Sequence, residues 1–271
     1  MKRIPSAAAF TLAWLLFAAA PLAAQTIISD TFTGTGSTAA HTPNTNLPGG
    51  TYAVFGSTGS ATLTGTGTVQ IGGDIGTCLP ITSTGGYTEP TSMTISAGLE
   101  EGTTATGGVT AFRGIGLGFF TTNAPGPLPG NANAFNNFTG LVIGYNPNNV
   151  ADPAVFFVND VDKANTAENI LVSVPWPTAA LGAFSKTTTY AVSYALNTSP
   201  ATGGISSVSV TNTSTAATDT TDFAAIDSYS GTNPFTTGAG GVVSYSGFMD
   251  SSGSAGTNGF VSNFKLAAPN K

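Results

Sequence analysis

The chain has 271 residues, with 7 Lys and Arg against 13 Asp and Glu, and a net charge of −6 at pH 7. Nucleic acids and anionic membrane surfaces both select clusters of Lys and Arg, so this composition argues against either partner. Cys78 is the only cysteine, which excludes an intrachain disulfide.

The first 24 residues have the three parts of a secretory signal peptide. Lys2 and Arg3 supply the positive start, residues 7–20 are mostly apolar, and small residues precede Gln25. The pattern predicts cleavage after Ala24. The apolar run is shorter than the ~20 residues that span a bilayer, and no cysteine follows for a lipid anchor. We therefore expect a secreted protein, in the extracellular space, the periplasm or at the cell surface, without membrane insertion.

Composition is uniform after the signal, which predicts a single domain over residues 25–271. Short β-branched and aromatic runs separated by Gly, Pro, Asn, Ser and Asp predict about a dozen strands in an all-β sandwich of two antiparallel sheets. Thr-rich fragments lack a fixed repeat period, so a solenoid is disfavoured. Alternating strand patterns occur at residues 51–55, 66–71, 92–99, 190–196, 205–211, 241–248 and 260–266.

Three runs are continuously apolar rather than alternating: residues 115–120, 141–145 and 154–158. This pattern is typical of strands covered on both faces, so we expect them at the centre of a sheet. The runs at 190–196 and 205–211 predict a hairpin. Only residues 162–169 could form a helical turn.

The two ends of the mature chain share a pattern with a known superfamily. Residues 28–32 (ISDTF) and 259–266 (GFVSNFKL) resemble the paired terminal strands of concanavalin A-like, or LamG-like, jelly rolls. Residues 41–52, with their Pro-Gly-Gly turn, resemble secreted bacterial members of that group. The resemblance implies a jelly-roll sandwich, a fold that carries lectins, glycosidases, lyases and adhesive modules. Such members often carry a Pro-Glu-Pro sorting tail; residues 267–271 contain no such motif, so covalent sorting is not expected.

Catalytic groups are sparse. Glu100 and Glu101 are adjacent and would point to opposite faces of a strand, so a solvated strand end is the favoured interpretation over a glycosidase pair. Glu89 and Glu168 are conceivable partners with nothing to distinguish them. His41, the only histidine, lies in a Pro- and Asn-rich segment and is interpreted as an exposed turn residue. Cys78 has apolar neighbours and is interpreted as a small buried residue rather than a nucleophile.

One segment could hold a metal ion. Asp160, Asp162 and Asn165 bring oxygen ligands together after a strand, although their spacing does not match an EF-hand. A structural calcium ion is the only cofactor that the sequence suggests, and an ordinary acidic turn is the alternative.

Two aromatic residues are the candidates for sugar binding. Trp176 stands between two prolines, and Tyr145 precedes an amide-rich loop that contains Asn148 and Asn149. Sugars bind to aromatic faces flanked by amide and carboxylate groups, so these four residues form the predicted carbohydrate site. The alternative is that both rings pack on the edge of the sandwich.

The sequence therefore favours a non-catalytic module that binds polysaccharide or a cell-surface glycan, or adheres to it. A structural protein of the cell envelope or extracellular matrix, which would self-associate, remains an alternative. A glycoside hydrolase is a second alternative and requires two carboxylates that face each other across a groove.

Overall fold

The computed structural model describes residues 24–56, 60–72, 75–81, 92–102, 113–120, 138–146, 149–159, 170–197, 204–229, 244–250 and 258–268. In chain order the strands are β1 (Gln25–Asp30), β2 (Thr35–Ser37), β3 (Thr45–Asn46), β4 (Ala53–Gly56), β5 (Ala61–Thr64), β6 (Thr68–Gly72), β7 (Ile75–Pro80), β8 (Ser92–Glu100), β9 (Arg113–Phe120), β10 (Phe138–Asn146), β11 (Asn149–Asn159), β12 (Ile170–Pro175), β13 (Tyr190–Asn197), β14 (Gly204–Asn212), β15 (Ala217–Asp219), β16 (Tyr245–Asp250) and β17 (Asn258–Ala268). The helices are α1 (Thr178–Leu181) and α2 (Ala224–Asp227), and a 3-10 turn covers Thr38–Ala40.

These strands form two antiparallel sheets, so the predicted fold class is confirmed. The ten-stranded sheet has the order β15-β14-β13-β8-β17-β6-β5-β2, with β1 beside β17 and β3 beside β1. The seven-stranded sheet has the order β12-β11-β10-β9-β16-β7-β4. The hairpin predicted from residues 190–196 and 205–211 is β13 paired with β14.

The first and last strands pair, as the jelly-roll resemblance implies. Gln25 faces Ala268 and Asp30 faces Phe264 along the C-terminal half of β17. The N-terminal half of β17 pairs with β6 on that same side, while β8 runs along its other side. The long last strand therefore joins three neighbours into one sheet.

The main core lies between the two sheets. On β13 the side chains of Tyr190, Val192, Tyr194 and Leu196 are buried, while the residues between them face outward. This period of two is the pattern expected of a strand with one face in the core. The Tyr194 hydroxyl donates a hydrogen bond of 2.9 Å to the carbonyl oxygen of Leu117 on β9, which joins the two sheets directly.

The three continuously apolar runs form β9, β10 and β11 within the seven-stranded sheet, as predicted. They are buried on both faces because Phe120, Phe138, Val142 and Phe156 form a second apolar layer on the face turned away from the main core. All four side chains are 0% exposed. The side chains at the centre of this outer face are therefore apolar and buried.

Glycines make room for that second layer. Gly118 faces Gly140 across β9 and β10, with the Phe138 ring close by. A Cβ added to Gly140 would lie 2.7 Å from the Gly118 Cα and 2.8 Å from the Phe138 Cζ. The absence of side chains here allows an aromatic ring to lie against the backbone.

Candidate functional site

Four aromatic rings pack together at one end of the sandwich, and we call them the end cluster: Tyr145, Trp176, Phe184 and Tyr190. The ring centroids of Trp176 lie 4.8 Å from Phe184 and 4.7 Å from Tyr190, both in edge contacts. Phe184 stacks on Tyr190 at 5.4 Å and meets the edge of Tyr145 at 5.6 Å. The two predicted sugar-binding rings are therefore joined through Phe184, which sequence reasoning did not single out.

The local chain explains where Trp176 sits. Its backbone N–H donates to the carbonyl oxygen of Pro153 at 2.9 Å, and its indole N–H donates to the carbonyl oxygen of Gly182 at 2.9 Å. Gly182 ends α1 with φ +77°, a conformation that favours glycine. Trp176 is 6% exposed, so its ring packs into the end of the sandwich and little of the residue is accessible. Its role in sugar binding stays a prediction.

A carboxylate and an ammonium group accompany the end cluster. Glu101 is 2% exposed, which makes the interpretation of a solvated strand end wrong for this residue. Burial raises the pKa of Tyr145 to about 12, and electrostatic interactions with Glu101 and Tyr190 add to the shift. The Lys186 Nζ lies 4.7 Å from the centroid of the Tyr145 ring, in a cation–π contact. The Gly102 N–H donates to the Lys186 carbonyl oxygen at 2.7 Å, which fixes the segment that carries the lysine.

A depression of about 340 Å³ opens beside Trp176, and we call it the end depression. It is lined by Asp152, Pro153, Ala154, Ser173, Pro175, Trp176 and Thr178. Asp152, Ser173 and Thr178 are exposed. The volume lies within the range of small-ligand sites, which start at roughly 300 Å³. The lining combines one carboxylate and two hydroxyls with apolar proline rings and Trp176.

Most of the other predicted site residues lie outside the part of the chain that the structure describes. Asn149 begins β11, where its backbone faces Asn146, and Asn148 lies outside the described residues. The calcium candidates Asp160, Asp162 and Asn165 also lie outside the described residues, as does the predicted helical turn at 162–169. In the ranges that the structure describes, no three His, Cys, Asp or Glu side chains are grouped to hold a metal ion.

His41 is not an exposed turn residue, contrary to the sequence interpretation. Its side chain is 10% exposed, and its Nε2 lies 2.9 Å from Oδ1 of Asp30. Asp30 is 1% exposed and also accepts hydrogen bonds from the Phe32 N–H at 2.8 Å and the Tyr52 hydroxyl at 2.9 Å. The imidazole ring stacks on Tyr52. This histidine therefore ties a loop to the first strand.

Cys78 is buried with 0% exposure, which confirms the interpretation of a small core residue. Burial raises the pKa of its thiol, so the reactive thiolate is disfavoured. Neither helix in the described part of the chain is long and apolar enough to cross a membrane.

No family model matches the chain, and no curated protein matches it. Solved structures of similar fold include a xylan β-1,4-xylosidase from Bacillus halodurans C-125, with 9% identity and a TM-score of 0.48. The match covers 88% of this chain and 38% of the xylosidase. Lectin II from Ulex europaeus has 12% identity and a TM-score of 0.46, covering 83% of this chain and 94% of the lectin. Arcelin-5, a lectin-like defence protein from Phaseolus vulgaris, has 10% identity and a TM-score of 0.43, covering 88% and 96%. At such scores function has to be inferred from the chain's own residues.

Proposed function

We propose that this protein is an exported, non-catalytic module that binds carbohydrate in the end depression. The observation that carries the proposal is the lining itself, where the Asp152 carboxylate and the Ser173 and Thr178 hydroxyls surround an apolar surface of Pro153, Pro175 and Trp176. A sugar ring has the same two-sided chemistry, with polar hydroxyls around its rim and C–H groups on its faces.

Each part of the lining has a partner on a sugar. The Asp152 carboxylate accepts hydrogen bonds from two neighbouring hydroxyls, since an ionised carboxylate offers two acceptor oxygens. The Ser173 and Thr178 hydroxyls donate or accept as the sugar requires. The proline rings and the accessible part of Trp176 cover the C–H face. The end cluster behind them keeps the floor rigid, which lowers the entropy lost on binding.

The lining favours binding over hydrolysis. Glycosidases place two carboxyl groups about 5–9.5 Å apart on either side of the scissile bond. Among the described residues that line the end depression, Asp152 is the one carboxylate. Glu101, whose charge acts on Tyr145 of the end cluster, is 2% exposed and does not line the depression, so it is not offered to a bound sugar.

Export is part of the proposal because of the first 24 residues. The strand β1 begins at Gln25, immediately after the position where cleavage is predicted. The first residue needed for the sheet is thus the first residue of the predicted mature protein.

Calorimetric titration with a panel of neutral mono- to tetrasaccharides tests the proposal. We expect at least one sugar to bind, and Asp152→Asn to weaken its binding about tenfold or more, since hydrogen bonds to a charged group contribute about 1.5–3 kcal/mol. Asp222→Asn is the matched control because it neutralises an exposed carboxylate outside the depression. No binding to any sugar of the panel would overturn the proposal, as would equal affinities for the two variants.

A further inference from the structure

A second concave surface lies on the outer face of the ten-stranded sheet, and we call it the sheet groove. Its floor is a row of outward-facing residues that pair across five strands, in the order Thr211, Ala191, Gly98, Ser262 and Thr68. Gly98 has no side chain, and Ser262 Oγ and Thr189 Cγ2 fill the space that a Cβ there would take. Ala191 is exposed and has the smallest side chain of the other four residues, so it marks the lowest accessible part of the face. The row crosses the strands at right angles, like the hydrogen bonds of an antiparallel sheet.

Larger groups border the floor on one side. Thr189 donates a hydrogen bond of 3.1 Å from its hydroxyl to Oε2 of Glu100, and Glu100 faces Phe260 in the next strand. Thr213 donates from its hydroxyl to the Thr189 carbonyl oxygen at 2.7 Å, which anchors the segment that carries Thr189. The half-exposed Phe260 ring and the Glu100 carboxylate thus stand side by side along this wall.

Hydroxyl and amide groups form the opposite wall. Ser209, Ser193 and Ser96 face one another in the next row of the sheet. Asn263 follows Ser262 where the pairing of β17 shifts register, and its backbone has φ +50°. Such an irregularity turns a side chain away from the regular strand alternation, and the exposed Asn263 borders the groove at this point.

The groove is long enough for a chain molecule. Two depressions of about 270 and 190 Å³ share Thr189 and Ser262 and so form one continuous surface. Five strands at about 4.8 Å spacing give the floor row a length of roughly 19 Å. A single monosaccharide would leave most of this length empty.

We propose that the sheet groove binds a neutral, extended polysaccharide chain, separately from the end depression. Serine and threonine hydroxyls both donate and accept, which suits the hydroxyl groups of an uncharged glycan. Glu100 is the charged side chain among the described lining residues, and Lys265 faces Ser96 at the border of the wall. The groove therefore has no surplus of positive charge to attract a chain rich in uronate, sulfate or phosphate. The Phe260 ring offers an apolar surface to one sugar face. A second copy of this protein is a poorer occupant, because stable interfaces have an apolar core that this floor lacks.

Affinity electrophoresis in gels that contain one soluble polysaccharide tests the groove. The neutral probes are arabinoxylan, mixed-linkage β-glucan and galactomannan, and the anionic probes are alginate and polygalacturonate. We expect at least one neutral polymer to retard the wild-type protein and neither anionic polymer to do so. Retardation by anionic polymers alone, or by none of the five, would overturn the proposal.

Ala191→Tyr places a large side chain on the floor and is expected to weaken retardation at least tenfold. Ala195→Tyr is the matched control, since Ala195 faces outward on the same strand, opposite Thr94 and outside the groove lining. Equal retardation of the two variants, with thermal unfolding unchanged in both, would overturn the proposal. So would a wild-type dimer that only Ala191→Tyr dissociates, because the face would then be a self-association surface.

The proposals for the two carbohydrate sites can be overturned independently of each other. Asp152→Asn tests the end depression with short sugars, whereas Ala191→Tyr tests the sheet groove with polymers. Loss of oligosaccharide binding in Asp152→Asn with polymer retardation intact would leave the groove proposal standing. Glu100→Gln is expected to weaken polymer binding several-fold while leaving the end depression unaffected.

Discussion

Asp30 and Tyr52 are joined by a hydrogen bond of 2.9 Å between two side chains that are 1% and 2% exposed. The two residues lie 22 positions apart in sequence. The carboxylate also accepts from the Phe32 N–H and lies in contact with His41, so one buried group holds the start of the sandwich to the segment that follows it. Hydrogen bonds to a buried charge are among the strongest in proteins, and an orphaned partner is costly.

Tyr52→Phe is expected to lower the free energy of unfolding by about 2 kcal/mol, because the ring still packs on Phe32 while Asp30 loses one donor. Urea denaturation measures the change. Tyr229→Phe is the control, since this half-buried ring lies beside Phe157 in another part of the core. If the two variants were equally stable, the hydrogen bond to Asp30 would contribute nothing beyond packing.

Alkaline pH is expected to destabilise the fold. Burial raises the pKa of Tyr194 and, with the charge of Asp30, that of Tyr52 well above the usual value near 10. The pKa of Tyr145 is raised to about 12. The unfolded phenols lose their protons first, so stability is fully present below about pH 10 and falls as the pH rises further. Urea midpoints at pH 9 and pH 11 measure the loss, and Tyr52→Phe should reduce it. A flat profile would contradict the burial of these hydroxyls.

Gly140→Ala is expected to lower the free energy of unfolding by about 1–3 kcal/mol, because the added methyl group meets the Gly118 backbone and the Phe138 ring. Gly204→Ala is the matched control: a Cβ there would have the Tyr229 carbonyl oxygen as its nearest neighbour at 3.9 Å. Thermal unfolding of both variants gives the comparison. Equal stability would mean that the layer over β9 and β10 yields to a methyl group at no cost.

Trp176→Ala is expected to cost about 3–5 kcal/mol of stability, as for other large aromatic side chains removed from a core. Trp176→Phe should cost about 1 kcal/mol through loss of the indole hydrogen bond. Leu47→Ala, at a side chain that is 43% exposed, is the control with little effect. Because Trp176 is the one tryptophan after residue 24, its fluorescence reports directly on this end of the sandwich. Emission typical of a solvated indole in the native protein would contradict its burial.

Much of the fold could be predicted from local patterns of apolar and polar residues along the chain. The continuous apolar runs indicated β9, β10 and β11 because a strand covered on both faces has no polar alternation. The hairpin of β13 and β14 followed from alternation on either side of a turn. The strands β5 and β7 were among those not predicted, because the threonines of β5 and the glycine and threonine of β7 also suit turns. In β7, for example, Gly76 is required by the ring of Phe55 on β4, a contact between strands that no local pattern reveals.

The candidate sites depend on contacts between distant segments, and there the sequence was less informative. Trp176 and Tyr145 were predicted from their flanking prolines and amides, yet Phe184, which joins them, lies in an unremarkable segment after α1. Glu101 was interpreted as exposed because charged residues usually are, and His41 because it lies in a Pro- and Asn-rich segment. Their burial follows from Tyr145 and Lys186 in one case and from Asp30 and Tyr52 in the other. The sheet groove depends on the register of five strands, which sequence alone does not specify.

Because Gln25 pairs with Ala268, the two ends of the sheet lie side by side, and a linker at either end would attach the protein at the same place. Phe260, at the groove, lies eight positions before Ala268 on the same strand, or about 26 Å away at ~3.3 Å per residue. A linker attached before Gln25 or after Ala268 would therefore leave from the same spot, on the Ser96 side of the groove and away from the wall that contains Phe260. In a protein immobilised on a bead or a sensor chip through either of these linkers, the Phe260 wall of the groove would be turned away from the support.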